Sequence, residues 1–256
     1  MKLLCIGDVV SSVGCEYLAK KLPKLRREYD IDMVVCNGEN SADGNGITPD
    51  SADSLLDCGV DVITTGNHSF RRRESYDYYD RCEQIVRPAN YPKGAAPGRG
   101  YTVFDMLRYR VAVINIMGTM YLEPLENPFR CLDSILKEVE NCSVKIVDFH
   151  AEATAEKRAF GYYADGRVSA VVGTHTHVQT SDDCVLPNGT GYITDLGMTG
   201  PVHSVLGVRT DIIIAKFKDH MPVRFESADG ECSMGCCLFD IDEKTGKARS
   251  AKRMTI

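Results

Sequence analysis

The stretch Val168–Thr180, VSAVVGTHTHVQT, decides how this chain is read. Its first five residues are mostly apolar and β-branched, the pattern of a strand buried on both faces. Directly after that run come His175 and His177, two of only six histidines in 256 residues. Residues i and i+2 of an extended segment point the same way, so the pair alone reads equally well as one face of an exposed strand. What distinguishes the two readings is whether other strands end in the same chemistry.

Several do. KLLCI (2–6) reads as a first buried strand, DMVVCN (32–37) as a second, DVITT (61–65) as a third, and YRVAVINI (109–116) and VKIVDF (144–149) as two more. Asp8 follows the first, Glu39 and Asn40 the second, Asn67 and His68 the third, and His150 follows VKIVDF. In open α/β sheets the carboxyl ends of strands line the ligand crevice, so residues distant in sequence converge there. Each piece has an ordinary explanation: an aspartate after a strand caps helices, Gly-Asn pairs make turns, and a lone histidine is more often structural than a ligand. Four of the six histidines at strand ends, with only His203 and His220 elsewhere, make convergence the better account.

Between the strands the spacing predicts helices. Leu18, Leu22 and Leu25 share a face in the segment 13–29, with Pro23 as an expected kink or break. PDSADSLLDCG (49–59) reads as a short helix with Gly59 at C′, 71–81 as helical, and Asn127 and Pro128 as N-cap and N1 of a helix burying Phe129, Leu132, Ile135, Leu136 and Val139. The Pro- and Gly-rich stretch 87–101 reads as loop. DIIIAKF (211–217) and CCLFDI (236–241) read as strands, with a hairpin turn at DEKTGK (242–247). The expected architecture is a single α/β domain spanning 1–256.

Composition narrows the function. Thirty Lys+Arg against 36 Asp+Glu give a net charge of −6, which argues against a dedicated nucleic-acid or membrane-surface binder. The N-terminal apolar run stops at Asp8, no run is long enough to span a bilayer, and the 11 cysteines form no CxxC pair, so a cytoplasmic protein with reduced thiols is expected. Imidazoles mixed with carboxylates and amide oxygens suit Mn, Fe or Zn rather than Mg or Ca. So many donors exceed one tetrahedral ion, and fit two ions about 3.5–4 Å apart sharing a carboxylate. Placing Asp8 and Glu39 together without cations would raise at least one of their pKa values.

The ordered set GDVVSSVG, NGENSADGNGIT, TTGNHSF, RPANYPKGAAPGRG, DFHAEATAEKRAFGYYADGRVSAVVGTHTHVQT and YITDLGMTGP resembles the bacterial YmdB-like metallophosphodiesterases, a branch of the calcineurin-like phosphoesterases, over nearly the whole chain. The resemblance implies a calcineurin-like metallophosphoesterase fold, a two-sheet β-sandwich flanked by helices. It implies that Asp8, Asn40 and His177 ligate one ion, that Asn67, His150 and His175 ligate the other, and that Glu39 bridges them. His68 would be the general acid for direct hydrolysis of a cyclic nucleotide, a 2′,3′-cyclic one above all and 3′,5′-cyclic AMP besides, by a metal-bridging hydroxide. The resemblance also implies a homo-oligomer. The sequence departs from the family pattern at RRRES after GNHSF, at Thr119 and at His203, all outside the ligating positions. Other readings of the same residues are a phosphomonoesterase or nucleotidase, and a metal-bound cyclic-nucleotide sensor with weak turnover.

Overall fold

The computed structural model describes residues 1–256. The chain opens with β1 (Lys2–Ile6) and the short β2 (Asp8–Val9), then α1 (Ser11–Glu28), β3 (Met33–Asn37), α2 (Pro49–Asp57), β4 (Val62–Thr64), α3 (Tyr76–Arg81) and β5 (Ile85–Val86). A second run follows: β6 (Tyr101–Asp105), β7 (Arg110–Met117), α4 (Pro128–Glu138), β8 (Val144–His150), α5 (Thr154–Ala164) and β9 (Ala170–Thr174). The remainder holds β10 (Cys184–Val185), β11 (Gly191–Ile193), β12 (Met198–Pro201), α6 (Thr210–Asp219), β13 (Cys232–Ile241) and β14 (Ala248–Thr255).

These strands make two sheets. One runs β2-β12-β13-β1-β3-β4-β5, with β14 on β13; the other runs β10-β11-β9-β8-β7-β6. Alternation within strands shows how they stack. Leu3 and Cys5 of β1, Val111 and Val113 of β7 and Val172 of β9 share a core between the sheets, while Leu4 and Ile6 turn outward onto Leu18, Leu22 and Leu25 of α1. On the far side Ala112, Ile114 and Val171 meet Leu132 and Ile135 of α4 and Phe160 of α5. The result is a helix–sheet–sheet–helix sandwich, with three apolar layers and buried strands that read as continuous hydrophobic runs.

Local signals explain most helix ends. Thr48 and Ser51 form a reciprocal capping box with Pro49 at N1 of α2, and Gly59 follows that helix at φ 107°. Asn127 accepts from the N–H groups of Phe129 and Arg130 at 3.1 and 3.2 Å, as its position before Pro128 predicts. Asp242 accepts from the N–H groups of Lys244 and Thr245 at 2.9 and 3.1 Å in the expected hairpin turn.

Three expectations need correction. Pro23 does not break α1: it and Ala19 lie on the exposed face, where the carbonyl that Pro23 leaves without a donor is open to solvent. The segment 71–81 is helical only from Arg73, as a 3-10 turn leading into six residues of α-helix. DIIIAKF is not a strand: it lies in α6, with Asp211 in the first turn, Lys216 and Lys218 in the last, and His220 closing the helix in the left-handed conformation. The helix dipole favours that charge order, and the β preference of three consecutive isoleucines is a context-dependent one that packing overrides. No helix is long and apolar enough to cross a membrane. All 11 cysteines are free thiols.

Candidate metal centre

Each candidate residue lies just beyond, or at the last position of, a strand. Asp8 follows β1; Glu39 and Asn40 follow β3; Asn67 and His68 follow β4; His150 ends β8; His175 and His177 follow β9. The first five come from one sheet and His150, His175 and His177 from the other, and the two sets meet at one edge of the sandwich.

The contacts are close. His150 Nε2 lies 2.9 Å from Asn67 Oδ1, 3.0 Å from His175 Nδ1 and 3.3 Å from Glu39 Oε1. One ring nitrogen carries at most one proton, so it cannot satisfy three such neighbours. A cation at the common point would. Glu39, His150 and His175 each offer a ligand atom, all within 4.8 Å of one another. A second group adjoins the first: His177 Nε2 lies 3.7 Å from Asp8 Oδ1 and 3.4 Å from Asn40 Nδ2, which in turn is 3.3 Å from Glu39 Oε1. Asp8 is fully buried, its Oδ2 accepts from the His175 N–H at 3.1 Å, and its Oδ1 has no hydrogen-bond partner. An orphaned buried carboxylate oxygen is costly unless a cation compensates it. Gly66 keeps the space open, since a Cβ there would stand 2.3 Å from the His150 ring and 2.4 Å from Glu39 Oε2. By these tests the residues fit a metal.

Asn40 is the exception in orientation. Its Oδ1 faces His68 Nδ1 at 2.7 Å, so its nitrogen faces Glu39 and His177. An amide nitrogen does not ligate; exchanging the two ends of the amide would turn the oxygen inward.

The electrostatics express the crowding of charge. Burial pushes the Asp8 carboxyl up to about 6, against the pull of His177 and His150. Burial also disfavours charge on Glu39 and His150, but their mutual attraction wins, holding Glu39 below and His150 above their ordinary values. Burial, reinforced by His150, drives His175 down to about 3. A divalent ion at the centre would take over the neutralising role of the His150 proton and favour the unprotonated imidazoles.

Several supporting residues are not singled out by sequence reasoning. Thr174 Oγ1 donates to Asp148 Oδ1 at 2.7 Å and so accepts from His150 Nδ1 at 2.9 Å, which leaves Nε2 as the lone-pair atom facing the centre. Asn37 and Thr64 also donate to the buried Asp148. The only signal for it is a carboxylate inside the apolar strand VKIVDF. His175 and His177 have φ of 101° and 63°, a conformation that residues other than glycine rarely adopt. Lys157 Nζ, bonded to Thr174 O at 2.7 Å and to Asp195 Oδ2 at 2.6 Å, and Asp195, which accepts from the Thr176 N–H at 3.2 Å, hold that turn. The Leu206 carbonyl accepts from His177 Nδ1 at 3.2 Å, and Glu152 stands 2.9 Å from His175 Nε2. Arg72 bonds the Asp43 and Asn45 carbonyls and pins the loop beside the centre.

The fold and the donor cluster together define a protein of the metallophosphoesterase type. The same fold recurs at low identity in the NAD nucleotidase of Haemophilus influenzae, with TM-score 0.59, 14% identity, and coverage of 100% of this chain and 55% of that one. The chain belongs to the YmdB-like protein family, whose profile matches residues 4–254. It is 46% identical to the 2′,3′-cyclic-nucleotide 2′-phosphodiesterase of Bacillus subtilis (strain 168), over 100% of this chain and 97% of that protein. A crystal structure of a novel phosphatase from Mycoplasma pneumoniae superposes with TM-score 0.95 at 32% identity, covering 100% of this chain and 93% of that one.

Proposed function

We propose that the chain is a metal-dependent phosphodiesterase that opens 2′,3′-cyclic nucleotides at the 2′ oxygen, with 3′,5′-cyclic AMP as a poorer substrate. The observation that carries this reading is the convergence of Asp8, Glu39, Asn67, His150, His175 and His177 on one edge, in a chain 46% identical to a relative named for that activity. Asp8, Asn40 and His177 would hold one ion and Asn67, His150 and His175 the other, with Glu39 between them. Its Oε1 lies at 3.3 Å from both His150 Nε2 and Asn40 Nδ2, which supports the bridging role. Fe, Mn or Zn suits this mixed nitrogen and oxygen set. Such a pair supplies Lewis-acid stabilisation of phosphoryl charge and activates water at neutral pH.

The protein's own residues supply the proton. With the Asn40 oxygen turned to the metal, its amide nitrogen donates to His68 Nδ1, and the neutral His68 ring then carries its proton on Nε2. The ring is partly exposed and lines the cavity over the centre, where a leaving oxygen departs. Burial, opposed by Glu39, holds His68 below its ordinary value, which favours the neutral ring whose Nε2–H faces the leaving oxygen. Backbone N–H groups of His68 and His175 fix Glu39 and Asp8, at 3.0 and 3.1 Å.

Turnover of 2′,3′-cyclic AMP, 3′,5′-cyclic AMP and an aryl phosphomonoester by metal-loaded protein tests the reading. The 2′,3′-cyclic ester is expected to be the best substrate and to yield the 3′-phosphate. His68→Ala is expected to lower kcat by about 10²–10⁴-fold with metal retained. Preference for the monoester, or an unchanged kcat in that variant, defeats the assignment.

A further inference from the structure

The candidate centre forms one end of a cavity of about 490 Å³, within the ~300–1,000 Å³ range of small-molecule sites. Its other end is built from α6 and the segments on either side of it, the region that sequence reading takes for a strand. Ile213, Phe217 and Phe225 line it, together with Lys216, the only lysine or arginine in the lining. Phe217 and Phe225 are 69% and 44% exposed, and both line the cavity. Lys216 Nζ sits 4.5 Å from the centroid of the Phe225 ring. Two exposed aromatic rings and one cation, in the same cavity as a phosphate-type centre, match the two ends of a nucleotide.

We propose that Phe217 and Phe225 are specificity-determining residues that stack the nucleobase of the substrate, with Lys216 as the polar contact at its edge. The inference rests on the phosphodiesterase reading and adds what that reading lacks, a reason for a nucleotide rather than any cyclic phosphodiester. Bases of every kind present a π-face, so the wall recognises base presence more than base identity. A second copy of the chain is the weaker occupant. A protein segment on this wall would close the cavity over the centre, whereas a base leaves the phosphate end where the donor cluster stands.

Steady-state kinetics with 2′,3′-cyclic AMP and with the base-less glycerol 1,2-cyclic phosphate, in Mn²⁺-loaded protein, test the proposal. Phe217→Ala and Phe225→Ala are each expected to raise KM for the nucleotide about tenfold, a loss of about 1.4 kcal/mol, with kcat within about twofold. Kinetics on the base-less ester stay unchanged, and Phe217→Tyr restores the nucleotide KM where Phe217→Leu does not. Equal effects on both substrates, no effect on either, or a KM change that tracks loss of an oligomer in sedimentation velocity overturns it. Wild-type protein that hydrolyses an aryl monoester but neither cyclic ester overturns the phosphodiesterase reading itself, and the base-stacking wall with it.

Discussion

His150 Nε2 and His175 Nδ1 face each other at 3.0 Å, with ring centroids 4.8 Å apart and planes at 78°. Two imidazole nitrogens meet this closely when a proton or a cation lies between or beside them. Elemental analysis of purified protein is therefore expected to give about two transition-metal equivalents per chain, in line with paired-ion hydrolases. His150→Ala should lose metal, and a chelator should lower turnover by more than ~100-fold, restored by Mn²⁺. A metal-free protein of full activity would contradict this.

Thr174 passes the Asp148 charge to the far side of the His150 ring. Thr174→Val keeps the shape and removes the hydroxyl, so the ring loses the contact that fixes its tautomer. Metal affinity, measured by competition with a chromogenic chelator, should fall about 10–100-fold, the usual effect of losing such a partner. Circular dichroism should be unchanged.

The Lys157–Asp195 pair is almost wholly buried, with side chains 2% and 1% exposed and 2.6 Å between the charges. Lys157→Met leaves the Asp195 carboxylate without its counter-ion, a change that costs about 3–5 kcal/mol in buried pairs. Denaturant unfolding should register that loss. Because both residues hold the His175–His177 turn, activity at a temperature where the variant is still folded should fall as well.

Asp182 gives the pH dependence of stability away from the centre. Burial works against its charge, but hydrogen bonds from Thr194 and Thr180, helped by Arg158, hold its pKa below the 3.8 usual for an aspartate. A depressed folded pKa stabilises the fold above the unfolded value, and the contribution fades as pH falls through the folded one. Wild type should therefore exceed Asp182→Asn in denaturant midpoint at pH 7, with the gap closing below pH 3.8. A gap that is constant with pH would show that the charge is not what matters.

The strand ends were legible because apolar runs and the polar residues after them are adjacent in sequence. From that pattern came β1, β3, β4, β7, β8 and β9, and with them every residue of the cluster. The short β2, β5, β10 and β12 carry two to four residues each, too few for any periodicity to register. Asp148 and Thr174 were passed over because nothing local distinguishes a polar side chain that supports a neighbour from one that merely ends a strand. In α6 the Ile212–Ile214 run read as β, while the evidence for helix lay in the charge order at its two ends and in the i, i+4 pair Ile213 and Phe217. That misreading hid the far wall of the cavity.

Four of the donors come from one sheet of the sandwich, residues 8 to 67, and three from the other, residues 150 to 177. Neither half of the chain owns the full set. A chain cut in the β6–β7 turn would give two pieces, neither able to capture the ions alone, and metal uptake on mixing them would time the moment the halves close.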